Sequence, residues 1–282
     1  MLNSKPARSS GAAPGLRLIG GFRALRALWW REVIRLAANR SQVGLMLLNP
    51  LLFLLVLGTG LSTMLGATSG THGYRAYLFP GVLLMAVQMP ALSAGMSIVR
   101  DREVGLLRAV LVAPVGRSTL LVGKCLGSAT AAALQGASLL VFAGFAGLPY
   151  EPVLLLALLG ELTLVSLTMT ALVALAAVWI KRIETFQSAL SLAMLPLFFL
   201  SGALFSVTGL PVWLTALTLA NPLTYAVDAL RQTVARSLPA DMVTAGPEWA
   251  GWAPPLGLEL LVMCALGLAA LALAARRFSR AS

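Results

Sequence analysis

The sequence predicts an all-α integral membrane protein with six transmembrane helices, and three observations support this. Hydrophobic residues make up 59% of its 282 positions and charged residues only 11%, whereas soluble domains carry about a quarter charged residues. The apolar residues gather in six stretches, each long enough to cross about 30 Å of hydrocarbon. The Lys and Arg residues behind the net charge of +11 lie between these stretches, which is typical of membrane topology and not of a nucleic-acid-binding face.

The predicted spans lie at residues 43–65, 76–98, 123–146, 153–179, 186–206 and 255–275, within one membrane domain at 41–282. With a cytoplasmic N-terminus, only three of the 21 Lys and Arg residues fall on the outer side, namely Arg75, Arg231 and Arg236. Because cytoplasmic loops are enriched in Lys and Arg, we expect a multi-pass protein of the bacterial inner (plasma) membrane with both termini in the cytoplasm.

Two segments precede the first span. Residues 1–20 are predicted to form a flexible cytoplasmic tail and residues 21–40 an interfacial amphipathic helix. In the helix, apolar side chains share one face and arginines point away from it; the apolar positions are Phe22, Leu25, Trp29, Val33 and Leu36. A cytosolic helix packed on a partner is the alternative. We expect no cleaved signal peptide, since no early apolar run ends in a small-residue cleavage site.

The region between spans five and six is apolar but repeatedly interrupted. The interrupting residues are Pro211, Asn221, Pro222, Asp228 and Arg231. They predict a re-entrant or interfacial pair of short helices, with a turn at Asn221 and Pro222. Asp228 and Arg231 are three residues apart and could form an ion pair across one helical turn.

The connection between spans two and three is the most informative stretch for mechanism. Its charges cluster at the start, in Arg100, Asp101, Arg102 and Glu103, and Pro114 ends the apolar part that follows. Such a protruding helix suits a groove on a soluble partner. The alternative is a connector with basic anchors at the edge of the bilayer.

Two separated motifs resemble those of type 2 ABC transporter permeases, in particular the daunorubicin-resistance and nodulation-factor exporter permeases. The first reads Arg-Asp-Arg-Glu-Val-Gly at 100–105, followed by Pro114, Arg117 and Gly-Lys-Cys-Leu at 123–126. The second reads Leu-Ser-Gly-Ala-Leu-Phe at 200–205, then Leu210, Pro211, Trp213, Asn-Pro-Leu-Thr-Tyr at 221–225, Asp228 and Arg231. Together they cover most of the chain.

The resemblance implies an exporter of two six-span permeases and two ABC ATPases, in which residues 100–113, here named the coupling segment, form a cytoplasmic coupling helix. The implied ATPase-coupling residues are Arg100, Asp101, Arg102, Glu103, Gly105, Leu107, Arg108 and Pro114. The family often has Thr and then an acidic residue where this chain has Leu106, Leu107 and Arg108. It also implies an outer gate at Asn221, Pro222, Tyr225, Asp228 and Arg231, for which a structural clamp is the alternative.

Candidates for the translocation path are Met85, Gln88 and Met89 in span two and Glu161 in span four. Methionines suit an adaptable path for an amphipathic substrate. The resemblance implies a hydrophobic or amphipathic substrate, such as a drug, a natural product, a lipid or a glycolipid, with multidrug efflux and antibiotic resistance as expected roles. More often methionines pack between helices, and an intramembrane carboxyl often bonds to a neighbouring span.

The chain is expected to be non-catalytic and to bind no cofactor. A P-loop requires G-x-x-x-x-G-K-[ST], but around Gly123 and Lys124 the first Gly position is Ser118 and the hydroxyl position is Cys125. ATP and Mg should therefore be used by a partner ATPase. The one histidine, His72, and the two cysteines have no metal-ligand or catalytic spacing. A membrane scaffold or integral enzyme not coupled to ATP remains the alternative. An ion channel or secondary transporter would show more intramembrane charge or paired broken helices.

Overall fold

A computed structural model describes residues 26, 29, 30, 34, 40–65, 73–104, 117–205, 207, 209–238 and 252–280. Eight α-helices lie within these ranges, and a short 3₁₀ helix follows the third. In chain order they are α1 (Arg40–Leu65), α2 (Gly73–Glu103), α3 (Arg117–Leu140), the 3₁₀ helix (Ala143–Ala146), α4 (Pro152–Trp179), α5 (Ile183–Leu200), α6 (Val212–Ala220), α7 (Pro222–Ala235) and α8 (Leu256–Arg280). The predicted all-α class is confirmed.

Within the part of the chain that the structure describes, four helical segments are long and apolar enough to cross a membrane. They are Tyr74–Glu103, Pro152–Trp179, Ile183–Leu200 and Leu256–Arg277, which correspond to predicted spans two, four, five and six. The first predicted span contains a shorter apolar helix, Gly44–Gly60. The third corresponds to α3, in which Lys124 and Gln135 interrupt the apolar sequence. The count of six spans therefore remains a prediction.

The segment ahead of α1 is described at four residues only. Trp29 Nε1 donates to Thr130 Oγ1 of α3 at 2.9 Å, and the side chains of Trp30 and Ile34 are exposed. The predicted tail at 1–20 lies outside the described residues, as does most of the interfacial helix at 21–40.

The pair of short helices predicted after span five is present as α6 and α7. Asn221 separates them because its extended backbone ends α6, while its side-chain oxygen accepts from the backbone N–H of Leu223 at 3.0 Å. Pro222 occupies the first position of α7, where its missing N–H removes no helical hydrogen bond. The Asn221 amide also donates to the carbonyl of Leu197 in α5 at 2.6 Å. The re-entrant path itself remains a prediction.

Helices α2, α3, α4 and α8 form the packed core of the bundle. Helix α7 inserts against this core, and most of its side chains are buried. Small residues permit close contacts between these helices. Such packing is expected in a membrane, because lipid is as apolar as the side chains and provides no hydrophobic driving force for helix association. A Cβ at Gly267 of α8 would lie 3.2 Å from the Cα of Thr168 in α4. Helix α5, by contrast, buries only two of its side chains, Phe186 and Phe198.

The contacts of Arg102 with the carbonyls of Ala177 and Val178 show that α2 and α4 end at the same side of the bundle. We name this side the inner end, after the predicted orientation. The opposite side, where α4 and α8 begin and α7 inserts, is the outer end.

The close approach of α2 to the segment after α5 gives a test of the packing. A Cβ at Gly81 would lie 2.8 Å from both the Cβ and the carbonyl oxygen of Ala203, whereas a Cβ at Gly160 meets nothing within 4 Å. We expect Gly81→Ala to destabilise the fold by about 1–3 kcal/mol through overpacking. Gly160→Ala should be neutral or stabilising by up to about 1 kcal/mol, since alanine favours the helix. Thermal unfolding of the detergent-solubilised protein checks this, and equal melting temperatures for the two variants would contradict it.

Candidate functional site

Two groups of polar side chains lie in the bundle, one at each end. The inner cluster consists of Ser97, Asp101, Arg102 and Lys124 with the last carbonyls of α4. The outer cluster consists of Tyr77, Glu161, Asp228, Arg231, Gln232, Thr233 and Glu259 with the carbonyl of Gly202. In a protein interior with no water, such groups are stable only if they satisfy one another.

In the inner cluster, Arg102 joins the last turn of α2 to the last turn of α4. One of its terminal nitrogens, Nη1, donates to the carbonyls of Val178 at 2.8 Å and Ala177 at 3.2 Å. The last carbonyls of a helix have no partner within the helix and carry its negative dipole end. A guanidinium placed there supplies both a donor and a favourable charge.

Lys124 makes the corresponding contact between α3 and α2. Its ammonium forms an ion pair with Asp101 and donates to Ser97 Oγ at 2.8 Å. The lysine is 6% exposed, so both contacts are needed to compensate its loss of hydration. Through Asp101 and Arg102, the end of α2 is thus tied to both neighbouring helices.

The structure places the first four predicted coupling residues differently from the sequence analysis. Arg100, Asp101, Arg102 and Glu103 form the last turn of α2 and do not begin a separate helix. Arg100 and Glu103 are exposed, whereas Asp101 and Arg102 face the bundle. Gly105, Leu107, Arg108 and Pro114 lie outside the described residues.

In the outer cluster, Gln232 connects α7 with the start of α8. Its side-chain nitrogen Nε2 has three acceptors within hydrogen-bond distance, Asp228 Oδ2 at 2.9 Å, Glu259 Oε2 at 3.1 Å and the carbonyl of Pro254 at 3.0 Å, which share its two N–H groups. Asp228 is 3% exposed and Glu259 is fully buried. One amide therefore holds two buried carboxyl groups on different helices.

Arg231 connects α7 with α2 and with the turn after α5. Its Nη2 donates to the carbonyl of Gly202 at 2.7 Å, and its guanidinium lies 4.1 Å from the ring centre of Tyr77. The Tyr77 hydroxyl donates to the same carbonyl at 3.0 Å. Gly202 has φ of 74°, a left-handed conformation that favours glycine.

The expected ion pair between Asp228 and Arg231 is wrong. Asp228 accepts from Gln232, four residues further along α7. Arg231 instead contacts the carbonyl of Gly202 and the ring of Tyr77. The charge of Arg231 is shared with an aromatic face and a carbonyl, both of which are favourable partners for a guanidinium.

Glu161 connects α4 with α7. The Thr233 hydroxyl donates to Glu161 Oε1, and both residues are buried. Gln88 contacts a different helix, since its Nε2 lies 3.9 Å from Met194 Sδ in α5. Met89 is 42% exposed and Met85 is partly buried. The contacts thus give Glu161 and Gln88, two candidate path residues, different partners.

Several buried atoms of the outer cluster have no hydrogen-bond partner. They are Glu161 Oε2, Asp228 Oδ1, Glu259 Oε1 and Arg231 Nε. Within the described ranges, no group of three or more His, Cys, Asp and Glu side chains is arranged to hold a metal ion. What the cluster does in the structure is attach α7 to α2, α4 and α8 through polar contacts.

Comparison with known protein families decides which family this fold represents. Residues 23–234, which include the inner cluster and all of α7 except its last residue, match the family model described as ABC-2 type transporter. The chain belongs to this family. The match ends before α8, so Glu259 lies outside it.

Relatives of this ABC-2 permease carry transport or nodulation names. It is 29% identical over 222 residues to nodulation protein J of Rhizobium leguminosarum bv. viciae, which covers 76% of this chain and 83% of the relative. The same protein from Rhizobium leguminosarum bv. trifolii is 31% identical over 221 residues, or 76% and 82% of the two chains. The putative transport permease ycf38 of Cyanophora paradoxa is 27% identical over 190 residues, or 66% and 65%.

Sequence reasoning did not identify five residues that the structure brings into these clusters: Tyr77, Ser97, Gln232, Thr233 and Glu259. Two signals were present in the sequence. Gln232 follows Asp228 at the i, i+4 spacing of helical neighbours, and Glu259 is a carboxyl inside an otherwise apolar predicted span. Gln232 and Glu259 have partners on other helices, so spacing along the chain could not identify these contacts.

The three acceptors that share the Gln232 amide predict a strong effect of its substitution. Gln232→Glu removes the donor and adds a third carboxyl beside Asp228 and Glu259, and an uncompensated buried charge destabilises by about 3–5 kcal/mol. We expect loss of monodisperse protein on size-exclusion chromatography in detergent. Gln187→Glu, at an exposed site in α5, is the matched control and should remain monodisperse. Equal behaviour of the two variants would show that Gln232 does not hold the cluster together.

Proposed function

We propose that this ABC-2 permease is the non-catalytic membrane subunit of an ATP-driven exporter, assembled from two permease chains and two separate ABC ATPase subunits. The observation that carries the proposal is the family match over residues 23–234, supported by relatives named as transport permeases. The energy source lies on another chain, because the sequence has no P-loop. ATP and Mg belong to the partner ATPase.

In the proposed topology the chain crosses the bacterial inner membrane six times, with both termini in the cytoplasm. Helices α1 and α3 supply the two spans beyond the four apolar helices, and the pair α6 and α7 enters from the outer side as re-entrant helices. The distribution of Lys and Arg supports this orientation. The burial of α7 supports the re-entrant placement, since a polar helix at membrane depth must be enclosed by protein.

The ATPase contact is assigned to the coupling segment at the inner end. Arg100 and Glu103 support this, because their side chains are exposed in the last turn of α2 and point away from the packed core. The two residues between them, Asp101 and Arg102, hold this turn against α3 and α4. A partner that moves the coupling segment would therefore move packed helices and not a free loop.

The proposed substrate is hydrophobic or amphipathic. Drugs and natural products are the first candidates, with multidrug efflux and antibiotic resistance as the corresponding roles, and lipids or glycolipids are the second. An exposed apolar face on α5 supports a path or contact surface at this helix: Leu192 is 79% exposed and Leu195 is 63% exposed. A second permease chain packed near this face would enclose a path bordered by Met89 of α2.

The test is ATP hydrolysis by the ABC ATPase encoded beside this chain, co-expressed and reconstituted with it in lipid. We expect the permease to change the hydrolysis rate, and a variant with Glu103→Ala and Gly105→Pro to lose that effect while the complex still assembles. A proline disfavours helix formation, so it would disrupt the predicted coupling helix, and the alanine removes the exposed charge of Glu103.

The matched control is Glu151→Ala, which removes an exposed carboxylate at the outer end and should leave hydrolysis as in the wild type. If the wild-type chain neither binds nor alters the ATPase, the exporter proposal fails. A membrane scaffold or an integral enzyme independent of ATP then becomes the leading interpretation.

A further inference from the structure

Helix α4 has polar contacts at both ends that connect the two clusters. At the inner end, its last carbonyls accept from the side chain of Arg102, which is one of the proposed coupling residues. In its outer half, Glu161 accepts from Thr233 of α7. The 17 residues from Glu161 to Val178 span about 25 Å of helix at 1.5 Å per residue.

The helices differ in stiffness. Proline inside a helix removes a backbone hydrogen bond and introduces a kink. Helix α2 contains Pro80 and Pro90, α1 contains Pro50 and α5 contains Pro196. In α4 the one proline, Pro152, occupies the first position and interrupts nothing. Helix α4 therefore lacks the internal prolines that interrupt the backbone hydrogen bonding of α2.

Helix α8 reinforces α4 along its length. Thr168 Oγ1 donates to the carbonyl of Met263 at 3.0 Å, and Gly267 permits close contact at the same place. Near the inner end, the guanidinium of Arg277 lies 3.4 Å from the ring centre of Trp179. Helix α8 also has no internal proline, and its Glu259 accepts from Gln232. The pair α4 and α8 thus forms a stiff unit that holds α7 through two carboxyl groups.

We infer that α4 transmits movement of the coupling segment to α7 at the outer end, with Arg102 and Glu161 as the positioning residues at its two ends. This inference rests on the proposed function. When the partner ATPase displaces the end of α2, Arg102 shifts the end of α4, and Glu161 shifts α7 through the Thr233 hydroxyl. Helix α7 is then repositioned at the outer end without direct contact between it and the ATPase.

The experiment reports movement at the outer end and does not require a known substrate. In the full permease–ATPase complex, Cys125 and Cys264 are replaced by alanine, and Ser237→Cys, in the turn after α7, carries an environment-sensitive fluorophore. The measured quantity is the fluorescence change when ATP and vanadate trap the ATPase. Each complex is checked for assembly by size-exclusion chromatography.

Thr233→Val keeps the side-chain shape but removes the hydroxyl, and we expect it to reduce the fluorescence change at least about fivefold, the lower end of usual coupling between sites. Thr233→Ser keeps the hydroxyl and should restore the response. Thr163→Val is the matched control, because the Thr163 hydroxyl donates only within α4, to the carbonyl of Leu159 at 2.8 Å, and its response should equal that of the wild type.

Arg102→Gln tests the other end of α4. Arg102→Gln should also reduce the fluorescence change. The double variant with Thr233→Val should show a fluorescence change no smaller than that of the more impaired single variant, because both changes interrupt the same connection. Independent reductions that multiply in the double variant would overturn the inference.

The outcomes separate this inference from the proposed function. If the wild-type complex shows neither permease-dependent hydrolysis nor a fluorescence change, the proposed function fails. If the wild type responds and Thr233→Val responds equally, α4 does not transmit the movement through this contact, although the exporter proposal stands. Failure of Thr233→Ser to restore the response would equally overturn the role of the hydroxyl. If Thr233→Val does not assemble, Arg102→Gln alone decides in the same way.

Discussion

Helix α7 carries polar side chains into the packed interior of the bundle, and the contacts of three surrounding helices depend on satisfying them. In hydrocarbon an unpaired polar group has no water to bind, so it must find a protein partner or remain at high free energy. Gln232, Arg231 and Thr233 each bond to a different neighbour, namely α8, the turn after α5, and α4. These directional bonds fix the position of α7 in a way that apolar contacts with lipid-like surroundings could not.

Buried polar groups also need protein partners at the inner end, where fewer residues supply them. A helix ends with unpaired carbonyls, and α4 has an arginine from α2 placed against its own. The buried lysine of α3 is compensated by Asp101, one residue before that arginine. Neighbouring residues in the last turn of one helix thus join three helices, and the residues on either side of them, Arg100 and Glu103, are exposed.

The bundle divides into a tightly packed part and a loosely packed part. Helices α2, α3, α4 and α8 bury small residues against one another, whereas α5 exposes most of its apolar face. Internal proline occurs in α1, α2 and α5, which include both that exposed helix and the helix that bears the first proposed coupling residues. Proline content and exposure do not follow each other, because α2 contains two prolines and packs in the core, whereas α5 contains one and is mostly exposed.

Much of the architecture could be predicted because membrane insertion acts on one-dimensional properties. Apolar length gave the spans at α2, α4, α5 and α8, and Asn221 followed by Pro222 marked the break between α6 and α7, where backbone chemistry alone ends one helix and begins the next. The family resemblance read from residues 100–105 and 200–231 agrees with the family match.

The side-chain contacts could not be predicted in this way. Spacing placed Asp228 beside Arg231, but Arg231 reaches a glycine carbonyl and a tyrosine ring on other segments, and Asp228 shares an amide with Glu259. By itself the sequence determined which helices are apolar and long enough to cross a membrane, where polar residues interrupt them, and to which family the chain belongs. Only the tertiary structure decided which helices those polar residues join, because a buried polar group chooses its partner by three-dimensional proximity and not by distance along the chain.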